Sequence, residues 1–222
     1  QTYKNIEIIL VDDCSSYTNV AEDLSIYKNN PKVKIIERKE NGGISKATND
    51  GLAIATGDFI VFMDCDDTID EHALNEFAYY LTKHPEYDYV YSDEDKITSD
   101  GKVRHLPFFK PDWSPDLFLT MMYTNHLGVY RRSIVNKVMP LRSEYDGAQD
   151  YDFTLRFLKF TDNKRIGHIK NVLYHWRERP ESIACSINSK SHGIVRAKKA
   201  KDEYLKDNGI AGKQVFNPIN NQ

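Results

Sequence analysis

No apolar run in this sequence approaches the roughly 20 residues needed to span a bilayer. The opening residues Gln1-Thr2-Tyr3-Lys4-Asn5 also lack the apolar core of a signal peptide, so the chain reads as soluble. Cysteine is scarce: Cys14, Cys65 and Cys185 are odd in number and show no CxxC spacing. That argues against a disulfide framework and a zinc site, and fits a reducing cytoplasm. Neither charge sign dominates, since 30 basic against 33 acidic residues leave a formal charge of -3. Nothing in this balance suggests a general attraction to nucleic acid or to an anionic membrane. Internal repeats and low-complexity tracts are absent too, so function must rest on local sites.

What is present is a chain of 222 residues, 40% hydrophobic and 28% charged, enough to bury a sizeable core in one globular domain. Apolar, β-branched runs at 6–11, 33–36, 59–63 and 87–91 are short and bounded by polar residues or glycine, as buried strands are. Helical spacing of apolar residues fills the intervals at 19–27, 44–55 and 71–83. Alternation of this kind predicts an α/β fold with a mostly parallel sheet, ligands binding beyond the carboxyl ends of its strands. Residues 98–115, punctuated by Pro107, Pro111 and Pro115, read as loop with at most short strands. Beyond them lie a strand at 127–130, a helix over about 151–160, an extended stretch at 166–176 and a helical, basic tail.

Three of these strands run into acid: Asp12-Asp13 after Val11, Asp64-Cys65-Asp66-Asp67 after Met63, and Ser92-Asp93-Glu94-Asp95 after Tyr91. Asp64 and Asp66, two positions apart, can converge on Mg or Mn while diphosphate oxygens complete its coordination. Equally, Asp-Cys-Asp-Asp-Thr can cap a following helix. Asp12 and Asp13 can accept hydrogen bonds from a ribose hydroxyl or a base N–H, or simply make a turn. Asn41-Gly42-Gly43-Ile44-Ser45 opens a helix with glycine amides able to face an anion, and it is also an ordinary turn sequence. Gln149-Asp150-Tyr151-Asp152 begins an apolar helix, where Asp150 can take an acceptor's proton or merely favour the helix N-terminus. His175, between Tyr174 and Trp176 and before Arg177, can complete a metal site while Arg177 meets phosphate, or can pack among its aromatic neighbours.

Taken in order, Val11-Asp12-Asp13-Cys14-Ser15, Asn41-Gly42-Gly43-Ile44-Ser45, Ala55-Thr56-Gly57-Asp58 and Met63-Asp64-Cys65-Asp66-Asp67 closely resemble the family 2 glycosyltransferases of GT-A fold. The match runs on through Tyr91 to Lys96, Phe108 to Trp113, His126 to Arg132, Gln149 to Asp152 and Leu173 to Arg177. It covers roughly residues 1 to 185, leaving 186–222 as a helical tail. The later motifs are similar to the subgroup that builds bacterial cell-surface polysaccharides and glycans. The resemblance implies that Asp13 contacts the nucleotide, that Asp64 and Asp66 form a metal-binding DxD motif, and that Asp150 is the general base of an inverting transfer. It also implies a further strand ahead of Gln1, ending in a proline-containing loop around the nucleotide.

On this reading a Mn2+ or Mg2+ ion serves as cofactor, with Asp64, Asp66 and His175 as its ligands. Asp12, Asp13, Asn41, Gly42, Ser45, Asp64 and Cys65 line the nucleotide. Asp93, Asp95, His126, Gln149, Trp176 and Arg177 line the sugar and acceptor. The donor is a UDP- or dTDP-sugar, and the acceptor a glycan or lipid-linked hydroxyl reached at the inner face of the plasma membrane, with peripheral membrane association. Two other readings compete. A haloacid dehalogenase-like phosphatase would use the DxDxT at Asp64 to Thr68 with Asp64 as nucleophile. A noncatalytic nucleotide-sugar-binding domain would need none of these acids for chemistry.

Overall fold

A computed structural model describes residues 1–17, 19–178, 186–212 and 214–215. Cys185 and the tail from 216 on lie outside the described residues. The strands are β1 (Ile8–Asp12), β2 (Val33–Glu37), β3 (Phe59–Val61), β4 (Thr68–Ile69), β5 (Tyr89–Ile97), β6 (Arg104–Phe108), β7 (Gly128–Arg131) and β8 (Ile166–Arg177). The helices are α1 (Val20–Ser25), α2 (Ile44–Ala53), α3 (Ala73–Lys83), α4 (Pro115–Phe118), α5 (Arg132–Val138), α6 (Gln149–Phe157) and α7 (Ser186–Asp207).

The expected α/β alternation is present, but the sheet is mixed rather than mostly parallel. β1 and β2 pair in parallel as a two-stranded unit. The larger sheet runs β3-β7-β5-β8-β4, with β6 pairing to β5. In it β5 and β8 are parallel, whereas β3-β7, β5-β7, β5-β6 and β4-β8 are antiparallel. Strand alternation with helices cannot reveal this, because β4, β6 and β7 join through loops that reverse direction. Pro107 sits inside β6, tolerated because β6 lies off the main path and needs no second ladder there.

Side-chain alternation divides the core between the sheet's two faces. Tyr89, Tyr91 and Tyr130 pack with Ile134, Val135, Phe153 and Phe157 of α5 and α6. Val90 and Val129 pack with Ala73, Phe77 and Leu81 of α3. Pairing of helices with both faces fixes where β3, β5 and β8 deliver their acidic and aromatic residues.

Among the described residues, no helix is long and apolar enough to cross a membrane. Several basic residues of α7 are matched, two within the helix and two by the rest of the protein. Arg196 donates to the Asp146 carbonyl, Lys198 pairs with Asp202, Lys199 with Glu203, and Lys201 lies over the Tyr151 ring. With Ala200 buried, α7 is a docked element whose charges are largely answered internally.

Candidate functional site

After β3 the chain turns through Asp64, Cys65 and Asp66 and enters β4. Helix α3 begins only at Ala73, with His72 at its N-cap position, so these acids do not cap it. Their loop is anchored from below by the next acid. Asp67 is buried and accepts hydrogen bonds from the Tyr174 hydroxyl and from the Arg177 backbone N–H at 2.7 Å. Arg177 Nε donates to the Asp66 carbonyl at 2.6 Å, and the same guanidinium donates to the Ser99 carbonyl at 3.1 Å. Arg177 therefore holds the acidic loop by its backbone instead of facing phosphate or acceptor. Asp64 and Cys65 are left exposed at the loop's apex.

Two further segments converge there. The His126 ring stacks on Tyr174 with centroids 4.7 Å apart, and its Nε2 lies 3.9 Å from Asp64 Oδ2. Asp150, in the first turn of α6, accepts from Asn125 Nδ2 at 2.7 Å. Asp64 feels all of these neighbours: partial removal from water raises its carboxyl above the ordinary range. His126 opposes that rise, while Asp67, Asp66 and Asp150 add to it. Such crowding of carboxylates is the electrostatic condition that a cation relieves. Asp152, two residues after Asp150, is buried and ion-paired with Arg142 and Arg156, so the two acids of the motif have separate roles.

Several expected site residues turn elsewhere. β5 continues to Ile97, so Asp93, Glu94 and Asp95 lie within the strand and alternate across it. Asp93 is buried against His168 Nε2 at 2.8 Å and the Lys110 N–H at 2.9 Å. Asp95 is buried against His175 Nδ1 at 2.7 Å and Arg104 Nε at 2.7 Å. Neither lines a sugar pocket in this arrangement. His175, paired in register with Asp95, is likewise committed on the face opposite to Tyr174, and His126 takes the place beside Asp64 expected of it. Glu94, in register with Tyr174, is the acid that faces the site. It accepts from the His126 N–H and from Lys110 Nζ. Gln149 Oε1 accepts from the Gly147 N–H at 2.6 Å, closing its own turn. Trp176 shares the Tyr174 face, is 47% exposed and lies under Lys96.

At the edge formed by β1 and α2, the glycine amides do face an anion, and it is the protein's own. Asp13 Oδ1 accepts from the Gly42 N–H at 2.9 Å and Oδ2 from the Gly43 N–H at 2.7 Å, with Arg38 on the same carboxylate. Burial alone would raise this carboxyl, but those amides and the Arg38 guanidinium hold it below its ordinary range. Asn41 Nδ2 donates to the Asp13 carbonyl at 2.9 Å, and buried Ser45 donates to Asp146. Gly43 has φ +83, a conformation that favours glycine, and a Cβ there would stand 2.7 Å from the Asp146 carboxylate and push it aside. Asp12 accepts from the Ser15 N–H at 3.1 Å. The motif thus builds a wall in which Asp13 and Gly42 brace one another.

Among the described residues no group of three or more His, Cys, Asp or Glu side chains encloses a metal site by itself. A hard divalent ion bound partly through substrate phosphates needs only one or two protein carboxylates, which Asp64 and Asp66 can supply.

A family model described as "Glycosyl transferase family 2" matches residues 1–139. The sequence is 38% identical over 221 residues to y4gI, an uncharacterized protein of Sinorhizobium fredii, covering 99% of this chain and 24% of that one. It is also 38% identical over 201 residues to the O-antigen biosynthesis protein RfbC of Myxococcus xanthus, covering 90% of this chain and 15% of that one. The chain thus spans a quarter or less of these relatives. The crystal structure of S. aureus TarS 1-349 in complex with UDP superposes with TM-score 0.60 at 23% identity, covering 90% of this chain and 61% of that one.

Proposed function

The chain belongs to glycosyl transferase family 2 and has its GT-A α/β fold, and on that premise we propose that it transfers a sugar from a nucleotide diphosphate donor to a hydroxyl of a glycan or lipid-linked acceptor. The observation that carries this reading is the convergence of three separate segments: the Asp64–Asp66 loop, the Asn125–His126 segment and Asp150 at the head of α6. Relatedness to an O-antigen biosynthesis protein supports surface polysaccharide or glycan synthesis as the setting. Similarity to a fold solved with UDP supports a uridine or closely related nucleotide.

In this mechanism the acceptor hydroxyl approaches Asp150, whose carboxylate takes the proton as the oxygen attacks the anomeric carbon. The bond from that carbon to the diphosphate breaks on the opposite side, so one in-line displacement inverts the anomeric centre without a covalent enzyme intermediate. Asp64 and Asp66 would hold a Mn2+ or Mg2+ ion that neutralises the departing diphosphate. His126 stands beside Asp64 at the same end. Asp12 and the Asn41–Ser45 wall border the nucleotide, and exposed Trp176 borders the acceptor. The phosphatase alternative places its nucleophilic Asp on the first strand, whereas Asp64 follows the third, so the displacement reading is preferred.

Calorimetric titration of UDP with Mn2+ is expected to show binding that EDTA or the Asp64→Ala, Asp66→Ala double variant abolishes. Binding indifferent to both would sink the donor-site assignment. Asp150→Asn should lower transfer by about 100-fold or more, the scale of a lost general base, while UDP affinity stays near wild type. Normal turnover by that variant would remove Asp150 from its role.

A further inference from the structure

This inference rests on the glycosyl-transfer reading and concerns how residue 126 is held. His126 precedes β7, so its backbone polar groups have no place in a strand ladder. Side chains take both of them. Its N–H donates to Glu94 Oε2, and its C=O accepts from Lys110 Nζ at 2.6 Å. The two side chains also bond one another, Lys110 Nζ donating to Glu94 Oε2 at 3.1 Å.

This is a costly arrangement for the fold to maintain. The Lys110 side chain has 0% of its surface exposed and that of Glu94 only 13%. Burial draws the lysine below its ordinary range, with Glu94 opposing the shift. An ion pair so placed contributes little net stability over apolar residues of similar volume, and removing one partner leaves a stranded charge. The backbone N–H of Lys110 donates to buried Asp93, which fixes where the loop after β6 crosses β5. The ammonium thus arrives at His126 from a rigid base.

Two contacts lead outward from the held segment. The His126 ring, stacked on Tyr174, stands 3.9 Å from Asp64, while Asn125 donates to Asp150 at 2.7 Å. One short segment therefore meets both the acid at the diphosphate end and the base at the acceptor end. We propose that Glu94 and Lys110 are positioning residues for the transfer, a buried pair that grips His126 by its N–H and its C=O and sets the placement of Asp64 relative to Asp150. Reacting groups displaced by about 1 Å can lose about 100-fold in rate, so a grip of this kind acts on turnover more than on binding.

The test is the Glu94→Met, Lys110→Met double variant, which removes both charges, strands neither, and takes away the acceptor of the His126 N–H. Hydrogen exchange at the His126 amide should accelerate at least about tenfold relative to β7, as expected when a protected amide loses its buried acceptor. UDP affinity should stay within about threefold, while UDP release per UDP-binding site should fall at least about tenfold. The release is read as the fastest among UDP-N-acetylglucosamine, UDP-glucose and UDP-galactose. A merely structural role would reduce the number of binding sites and leave the rate per site unchanged. Unchanged exchange, or an unchanged rate per site, overturns the proposal while leaving the glycosyl-transfer reading intact. A wild-type chain that neither binds nor releases UDP sinks that reading, and the proposal with it.

Discussion

Glu7 shows at a single residue how polar groups fasten the wall of the nucleotide region. Its carboxylate accepts from the N–H groups of Thr56 and Gly57 and pairs with Lys34 at 2.7 Å, tying the start of β1 to the approach to β3. Burial would raise this carboxyl, but the Lys34 bond and those amides bring it down to about 2. A carboxyl lowered by folding stabilises the folded state above its unfolded pKa and loses that contribution as pH falls through the folded one. Glu7→Gln is accordingly expected to cost about 1–2 kcal/mol near neutrality, the range for a charge-assisted hydrogen bond partly open to solvent. Urea titrations should show the difference from wild type shrinking between pH 4.5 and about 2. A difference that persists at pH 2 would show that the charge is not its source. Residues of this kind resist reading from sequence, because nothing near Glu7 in the chain announces Thr56. Asp64 and Asp150 stand out in the sequence because each borders a strong apolar pattern, and the fold brings their segments near each other through Asn125 and His126. Asp93 and Asp95 are hard to place for the converse reason: treated as lying past the strand end, they seem free, whereas alternation within a longer β5 buries both and turns Glu94 to the opposite face, beside His126.

The element that most affects the acidic loop is β4, two residues long and invisible to any periodicity argument. Its pairing of Thr68 with His175 and Ile69 with Tyr174 returns the loop to the sheet. Asp67 and Arg177 then clamp it, one by side-chain oxygens and the other through the Asp66 carbonyl. Arg177→Ala should weaken UDP binding in the presence of Mn2+ by about tenfold, since one charge-assisted bond to the loop is lost, and Arg177→Lys should recover part of it. Calorimetry on folded protein checks this; equal affinity for all three proteins would make Arg177 a spectator. Motif order revealed which acids belong together, but not which of them face inward, since that depends on a partner strand more than a hundred positions away. The same limit explains His175 and His126. His175 lies between two aromatics in sequence and His126 between Asn125 and Leu127, and only the register of β8 on β5, which brings Tyr174 against the His126 ring, decides which one reaches Asp64.

Across the whole molecule, the buried charge of Asp88 and the proposed site lie at opposite ends of β5. Asp88, just ahead of that strand, is buried and receives Arg131 Nε at 2.8 Å, Arg165 Nε at 2.6 Å and the Thr161 hydroxyl at 2.7 Å, joining the ends of β7 and β8. Burial would raise its carboxyl, but Arg165 and the other donors keep it below the ordinary range. Asp88→Ala should destabilise by about 1–3 kcal/mol, the range for lost charge-assisted hydrogen bonds whose guanidinium partners remain open to solvent. Chemical unfolding would measure that loss, and UDP affinity of the remaining folded protein should be unchanged. An altered affinity would mean that the far end of β5 is coupled to the site. The α/β class was evident from alternating patterns, yet the mixed pairing was not, because strand direction is fixed by contacts between segments rather than within them. β8 carries a further consequence. It presents Tyr174 to Asp67 on one face and His175 to Asp95 on the other while paired on both edges. Adding or deleting one residue there would exchange the two faces at a stroke. Evolution can therefore vary side chains along the in-register stretch from Tyr174 to Arg177 one at a time, and lineages descended from this chain should carry their insertions and deletions outside it, for instance where β8 already shifts register on β5 between Ile169 and Tyr174.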